Sequence, residues 1–382
     1  MPDTPVLQTQ VHVYYGTTDI SKDVYEDLLS ISYTDKIEDE ADELTVTLKD
    51  EKGKWAGAWS PERGAKVKAV FNTEGRGSVK TDTMIIDNLK TSGSPRVFEF
   101  QAVSIPLDNT FRRTAKTRNF EKLSLKDISK QLAEESNLAF MWDCEDDNNP
   151  EYDRVDQKQE SDLAFLKRLC NDAGLSIKVG AETCIIFDQL SYEKKPSVKT
   201  LTLGTSHILS WSFQSQQSQR YKSCTVKWRN VKAKTKSAGG PAPAATAETS
   251  TAGGADIYGN NDTDKKDKSK KGQQTLKTEY IDYTYTDESV EESGQEYVLK
   301  KRCSNQAEAE RVAKATLRKL NLRQTSGSLS LVGDPLMIAG NVIELKGFGS
   351  FDGRFIIESA NHSMTSGGYT TSIDVRRVNE VY

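Results

Sequence analysis

The chain has 382 residues, with 52 Lys or Arg and 56 Asp or Glu, and 36% of its residues are hydrophobic. At about 100–200 residues per domain, this length predicts two or three domains. The formal net charge of −4 provides no general positive field for a phosphate backbone, so nucleic-acid recognition is not expected. The longest apolar run, Leu138–Trp142, is far shorter than the roughly 20 residues of a membrane-spanning helix, which argues against membrane insertion.

The N-terminal segment has neither the basic start nor the apolar stretch of a signal peptide, so we expect the protein to be made in the cytoplasm and not exported by that route. The cysteines are odd in number, widely spaced and free of C-x-x-C pairs: Cys144, Cys170, Cys184, Cys224 and Cys303. This pattern favours neither a disulfide framework nor a zinc site. It predicts reduced, mostly buried thiols.

The first region, residues 1–105, has the pattern of strands separated by turns. Apolar and polar residues alternate at 44–48 and again at 98–102, which is the period of a strand with one buried face. Clusters of Gly, Pro, Asn and Asp separate these runs from others of similar character. The region is therefore predicted to be an all-β domain, an antiparallel sandwich or barrel.

The second region, residues 106–200, combines helices with strands. Ser124 has capping-box spacing to an acidic residue and is predicted to begin one helix. Ser161 is predicted to cap a second helix, which ends at Gly174. Two short apolar runs after that glycine predict a hairpin, so the region is expected to form a small α+β domain.

The third region, residues 201–382, returns to strands and is interrupted at 231–275. That stretch is rich in Ala, Gly, Thr, Pro, Lys and Asp and poor in large apolar side chains, so it cannot offset the entropy of ordering and is predicted to be a mobile linker. Beyond it, Asn305 has capping spacing to Glu308 and begins a long amphipathic helix. The pair Gly367-Gly368 predicts a tight hairpin between the last two strands.

Histidine is the first residue type to examine for catalysis. His12, His207 and His362 lie far apart in the sequence, in or beside predicted strands, with no paired-ligand or H-E-x-x-H spacing. We interpret them as sheet-surface or hydrogen-bonded histidines. The sequence predicts no catalytic residue, no cofactor-binding residue, no metal ligand and no cofactor.

Three other patterns suggest chemistry only weakly. The acidic run 143–156 has alternating carboxylates like a calcium loop, but Asn148 stands where that loop needs Gly and Arg154 where it needs Glu, so a solvated acidic loop is favoured. The glycines within 347–353 lie between two strands and predict turns instead of a phosphate cradle. The lysines of 265–271 alternate with aspartates, which favours a solvated linker over a nucleic-acid patch.

Several strings, taken in order and spacing, resemble the late control D proteins of phages, the tail baseplate hub family to which the N-terminal hub part of VgrG spike proteins is related. The strings are QESDLAFLKRL at 159–169, GDPL at 333–336 with AG at 339–340, GFG at 347–349, DG at 352–353, and His362 with GGYTT at 367–371. The resemblance covers most of the chain.

The resemblance implies a β-rich α+β chain with two tube-like antiparallel β-barrel domains, at 1–105 and 201–382, and an accessory α+β domain at 106–200 inserted between them. It implies a homotrimeric virion protein without enzymatic activity, assembled in the bacterial host cytoplasm. Three copies would present six similar barrels, which adapts the sixfold tail tube to the threefold central spike. The expected partners are the tube protein, the spike protein and other baseplate or tape-measure proteins, and neither nucleic acid nor membrane.

Two alternative functions come from other classes of protein. A tail-associated peptidoglycan hydrolase would need a catalytic set, and no carboxylate pair or zinc ligand set stands out. The hub portion of a type VI secretion spike would be expected to continue into a repetitive β-helix needle, which this sequence does not contain. The hub of a contractile phage tail or phage-like particle is therefore the preferred interpretation.

Overall fold

The computed structural model describes residues 8–38, 40–106, 110–216, 220–232, 277–290 and 294–379. Apart from its first two residues, the predicted linker lies outside these ranges. In the part of the chain that the structure describes, no helix has both the length and the apolar character to cross a membrane.

The first region is dominated by antiparallel strands, as predicted. Its elements are β1 (Thr9–Tyr15), β2 (Thr18–Asp19), α1 (Ser21–Asp27), β3 (Leu28–Lys36), β4 (Glu43–Lys49), β5 (Lys66–Thr73), β6 (Gly77–Lys80), β7 (Met84–Ser92) and β8 (Val97–Val103). In β4 the alternating apolar side chains are all buried, which confirms the period-two pattern. The all-β prediction missed α1, because this short helix follows Ile20 with no side-chain cap.

The second region contains the predicted helices and hairpin together with additional strands and two short helices that were not predicted. Its elements are α2 (Thr110–Arg113), β9 (Lys116–Ser124), α3 (Leu125–Glu135), β10 (Ala139–Asp143), β11 (Glu151–Glu160), α4 (Asp162–Ala173), β12 (Ser176–Val179), β13 (Thr183–Phe187) and α5 (Gln189–Lys194). The Ser124 and Ser161 hydroxyls accept the predicted capping bonds, and Gly174 ends α4 at φ 74°. The acidic run is only partly a loop, because residues from Glu151 onward pair with β9.

The third region forms two separate sets of strands. Its elements are β14 (Lys199–Thr202), β15 (Ile208–Ser215), β16 (Tyr221–Lys232), β17 (Lys277–Thr286), β18 (Gln295–Cys303), α6 (Gln306–Asn321), β19 (Thr325–Val332), β20 (Val342–Lys346), β21 (Gly353–Thr365) and β22 (Gly368–Arg377). Asn305 caps α6 by accepting from the Glu308 N–H at 2.8 Å. Strands β16, β17 and β18 form their own sheet beneath α6, around Cys224, Val226 and Leu317.

The second β domain was predicted to include these three strands, and here the structure differs. Among the described residues, no strand pairing joins β16, β17 or β18 to the large sheet that contains β14, β15 and β19–β22. The side chains on α6 cover this small sheet, so its apolar face has its own partner. The strand-rich α+β fold class is confirmed, whereas the domain boundaries remain a prediction.

Fourteen strands form one sheet that runs through both β regions. Four neighbouring strands in the order β3-β4-β8-β7 are called the first block, and the four in the order β15-β19-β22-β21 are called the second block. The antiparallel pairing of β21 with β3 joins the two blocks into one row of eight strands. Each block has its own apolar core on the same side of the row.

The final hairpin allows a test of local backbone strain. Gly368 begins β22 with φ 106°, a conformation that is open almost only to glycine, whereas Gly367 has no positive φ. Gly368→Val is expected to destabilise the fold by about 1–3 kcal/mol, and Gly367→Ala is expected to have a much smaller effect. Urea unfolding of both variants measures the difference. Equal losses would contradict this assignment of the strained position.

Candidate functional site

The row of eight strands has one apolar face and one polar face. In the first block the polar face consists mainly of hydroxyl and amide side chains, with charged residues of both signs among them: Ser30, Ser32, Thr34, Lys36, Glu43, Thr45, Thr47, Lys49, Gln101, Asn88, Glu99 and Lys90. The second block continues it with Ser210, Ser212, Gln214, Ser326, Ser328, Ser330, Thr370, Ser372, Asp374, Ser359, Asn361 and Ser363. These residues form cross-strand rows that run unbroken through the β21·β3 pairing.

The polar face is accessible, while the opposite face is buried. The opposite face holds residues such as Val46, Phe100 and Ile373, which are at most 3% exposed. On the polar side, an open cleft of about 880 Å³ lies at the second block, between Ser212, Ser328 and the Lys36 end of β3. At spacings of about 4.8 Å, eight strands make a hydroxyl-rich surface roughly 34 Å wide.

Both ends of this row are open. β15 pairs with β19 on one side and with no strand of the described chain on the other. At the far end, β5 pairs only with Met84 and Ile85 of β7, and the Ile86 backbone bonds to Gly64 and Ala65, so within the described residues the edge of β7 from Asp87 onward pairs with no strand. Long, uncharged edge strands such as β15 are a hazard in a monomer, because they offer free backbone groups to another chain.

The apolar side of β15 is incompletely covered. Trp211 is 47% exposed, and its ring packs edge-on against the ring of Phe348, with 5.4 Å between the ring centroids. Phe213 packs on the same phenylalanine and is only half-buried. Leu209 and Leu203 are also exposed. An apolar surface at an open edge marks this end of the sheet as a contact site for another protein chain.

The structure does not gather the three histidines into one site. His12 lies half-buried in β1, His207 is exposed before β15, and His362 is fully buried in β21. The His362 Nδ1 is 2.7 Å from the Tyr369 hydroxyl, and the ring packs beside Phe71 and Tyr33. His362 is therefore hydrogen-bonded, as expected, but it belongs to the core and not to a sheet surface. Burial lowers its pKa to about 4.

The lowered pKa of His362 has a consequence for stability. Between about pH 6.5 and 4 the unfolded state binds a proton that the folded state excludes, so this residue lowers the free energy of unfolding as the pH falls, by roughly 3 kcal/mol in all. Burial raises the pKa of Asp42 to about 6, which acts in the opposite direction. In the His362→Asn variant, the free energy of unfolding is therefore expected to fall less between pH 7 and pH 4.5 than in the unmodified protein. Urea unfolding at pH 7, 5.5 and 4.5 measures this. An unchanged pH slope would contradict it.

A buried ion network attaches the second region to the sheet. Glu193 of α5 accepts from Arg376 at 2.6 Å and from Arg318 of α6 at 2.8 Å, and both Glu193 and Arg376 are 1% exposed. Arg376 also donates to Gln189 at 2.8 Å. Sequence analysis missed this network, because nothing in local patterning distinguishes these residues among the many charged ones. It fixes α5 and α6 against β22.

The remaining candidate patterns of the sequence do not form a reactive cluster. Among the described residues, no group of three or more His, Cys, Asp or Glu side chains has the geometry to hold a metal ion. Gly347, Gly349 and Gly353 all have positive φ, in keeping with their predicted role in turns. The lysine cluster lies outside the described residues. Four cysteines are buried and Cys144 is half-buried, and all five are free, as predicted.

Comparison with known proteins identifies the relatives of this chain. A family model described as the phage tail baseplate hub (GPD) matches residues 89–368, almost three quarters of the chain. A probable baseplate hub protein of Escherichia phage 186 is 24% identical over 220 residues, which cover 57% of this chain and 55% of the relative. The corresponding protein of Escherichia phage P2 is 26% identical over 219 residues, covering 56% and 54%. The chain thus matches about half the length of these relatives.

Solved structures share the fold at low sequence identity. A tail protein from Neisseria meningitidis MC58 has a TM-score of 0.65 at 14% identity, with 97% of this chain and 96% of that chain covered. A 43 kDa tail protein of prophage MuSo2 from Shewanella oneidensis has a TM-score of 0.65 at 13% identity, covering 97% and 98%. A component of the type VI secretion system of E. coli has a TM-score of 0.53 at 12% identity, covering 99% and 78%.

Proposed function

Because the chain belongs to the phage tail baseplate hub (GPD) family, we propose that it is a structural hub in the tail baseplate of a virion or phage-like particle, assembled in the host cytoplasm. In this proposal the protein acts through its shape and catalyses no reaction. Its partners are further copies of itself, the tube protein above, the spike protein below and neighbouring baseplate or tape-measure proteins.

The observation that carries the proposal is the repetition of one strand order. If the four strands of each block are numbered in the order in which they occur along the chain, their order across the sheet is first, second, fourth, third in both blocks. Three copies would therefore supply six equivalent blocks, so that a threefold trimer presents approximate sixfold symmetry. We propose that each block is the wall of one tube-like unit, with the α+β region at 106–200 as an accessory.

The polar face provides the inner surface of such a ring. Three rows of eight strands, tilted as in other barrels, would close into a channel roughly 45 Å across between opposite backbones. Hydroxyl and amide side chains offer hydrogen bonds to water without a strong field of either sign, which suits a passage that must not retain what moves through it. The apolar faces then point outward from the channel wall into the cores.

The hub part of a type VI secretion spike is the second candidate, supported by the fold shared with the E. coli component. Identification of the particle distinguishes the two, because immunogold labelling of this chain on contractile tails with phage-type baseplates supports the first. A peptidoglycan hydrolase has no supporting feature among the described residues. A zymogram with cell-wall substrate is expected to show no clearing.

Mass photometry of the purified chain tests the central claim. We expect a species of three times the 42.5 kDa subunit mass for the chain alone, or that mass plus the mass of the spike after the spike protein is added. Cryo-electron microscopy of that species is expected to show six similar units around one channel. A chain that stays monomeric at micromolar concentration, with and without the spike, would overturn the proposal.

A further inference from the structure

We propose that β15 of one copy pairs antiparallel with the open edge of β7 in the next copy, in the register that β3 and β21 use within one chain. The inference rests on the proposed function, because it specifies how hub subunits contact one another. It is carried by a residue-by-residue correspondence between the two blocks.

The correspondence begins with sequence and strand order. Each block consists of two strands, a connection and a final hairpin, so β3, β4, β7 and β8 correspond to β15, β19, β21 and β22. The first strands have related sequences, LLSISY at 28–33 and ILSWSF at 208–213. The third strands do as well, with MIIDN at 84–88 and FIIES at 355–359. Strand β3 therefore has its counterpart in β15, and β21 has its counterpart in β7.

Irregularities of the two blocks occur at corresponding positions. The pairing of β7 with β8 shifts between Ile86 and Asn88, and that of β21 with β22 shifts between Ile357 and Ser359. The pairing of β3 with β4 shifts at Leu29, and that of β15 with β19 shifts at Leu209. A bulge changes which face of the sheet each following residue points to. Two bulges at matching positions therefore determine which residue of one block corresponds to which residue of the other.

Backbone contacts outside the blocks agree with this correspondence. Gly64 donates to the Ile86 carbonyl at 2.8 Å, and Gly340 donates to the Ile357 carbonyl at 2.9 Å. In both blocks an outer strand pairs only with the start of the third strand, β5 with β7 at Met84 and Ile85, and β20 with β21 up to Ile356. In β21 the remaining edge pairs with β3, whereas in β7 the remaining edge pairs with no strand in the described chain.

The apolar residues of β15 are more exposed than their counterparts on β3, which has a neighbouring strand on both sides. Ile31 on β3 is fully buried beside β21, while its counterpart Trp211 on β15 is 47% exposed. Tyr33 is 5% exposed, while its counterpart Phe213 is only half-buried. A strand laid against β15 as β21 lies against β3 would cover this apolar surface, with Thr91 opposite Phe213 and Gly93, just past the end of β7, opposite Trp211. The unpaired edge of β7 is that strand.

The partner strand has to come from another copy. β7 and β15 are at opposite ends of the row, roughly 34 Å apart, so they cannot meet within one chain. Two different edges on each copy make a head-to-tail contact, which closes into a ring when the rotation allows it. Within one chain, Asn361 of β21 lies opposite Thr34 of β3. Lys90 corresponds to Asn361 and Gln214 corresponds to Thr34, so the same register places Lys90 of one copy opposite Gln214 of the next, and no like charges face each other.

Disulfide trapping tests both the pairing and its register. Directly opposed residues in an antiparallel pair have Cα atoms about 4.5–5.5 Å apart, within the range of a disulfide. The variant Lys90→Cys with Gln214→Cys, oxidised as the assembled full chain, is expected to give covalent dimers and trimers on non-reducing gels. Lys90→Cys with Ser210→Cys is the matched control, because four residues displace the second thiol by roughly 13 Å. Each single-cysteine variant controls for the native thiols.

The outcomes separate the inference from the function on which it rests. Efficient trapping of the 90–214 pair, with little in the 90–210 pair, supports the proposed register. Trimers that form without trapping at 90–214, or that trap both pairs equally, overturn the inference and leave the hub assignment standing. A chain that remains monomeric by mass photometry overturns both.

Discussion

Replacement of Trp211 by glutamate is expected to leave the chain folded but to weaken its self-association at least 100-fold. The indole is 47% exposed at the open edge of β15, and the proposed register places Gly93 of the next copy, just past the end of β7, opposite it as Met364 lies opposite Ile31, so backbone of the next copy would cover the ring. Buried tryptophans at the centre of an interface often contribute 2–4 kcal/mol, and a carboxylate placed there adds the cost of desolvation. Mass photometry or sedimentation over a concentration series measures the change.

Trp59 provides the matched control for this substitution. It is 48% exposed, nearly the same as Trp211, but it packs edge-on against Trp55 in the connection between β4 and β5, outside the strands that would pair between copies. Trp59→Glu is expected to retain the trimer. If both substitutions dissolved the assembly equally, general loss of stability would be the cause and the edge assignment would be wrong. Circular dichroism of each variant establishes that the subunit remains folded.

The second large effect is expected in stability, from Glu193→Leu. This change leaves the buried Arg376 and the nearby Arg318 without the carboxylate to which both donate. Removing one partner of a buried ion pair costs about 3–5 kcal/mol when the other charge is left unpaired, and the lower end is expected here because the Glu358 carboxylate remains 3.3 Å from the Arg376 Nε. Because the network joins α5 and α6 to β22, we expect a lower midpoint in urea unfolding and earlier release of the second region in limited proteolysis.

A compensating variant distinguishes stranded charge from lost packing. Glu193→Leu combined with Arg376→Met removes both fully buried charges and leaves Arg318, which is 12% exposed, and Glu358, which is 21% exposed and keeps its ion pair with Arg323. The double variant is expected to regain most of the lost stability. Lys227→Met is the control, because its ion pair with Asp282 is more than half exposed and should contribute less than about 1 kcal/mol. A double variant as unstable as Glu193→Leu alone would exclude the charge explanation.

Local signals in the sequence predicted most elements but not their partners. The caps at Ser124, Ser161 and Asn305 and the alternation in β4 depend on residues within a few positions, so they could be identified directly. Strands β9 and β11 were missed, because their charged sequences lack an alternating apolar pattern. The repeat linking 28–33 to 208–213 was visible in the sequence and identifies the equivalent strands, but only the pairing shows its meaning.

The sequence by itself determined the β-rich class, the starts of the three capped helices and the resemblance to a hub family, since each follows from composition, short-range patterns or characteristic strings. The tertiary structure decided that both β regions share one sheet, that β16–β18 form a separate one, that His362 belongs to the core, and that β7 and β15 are left as open edges. Those facts depend on strand pairings between residues that are hundreds of positions apart. Periodicity indicates which face of a strand is buried, but not which strand lies beside it.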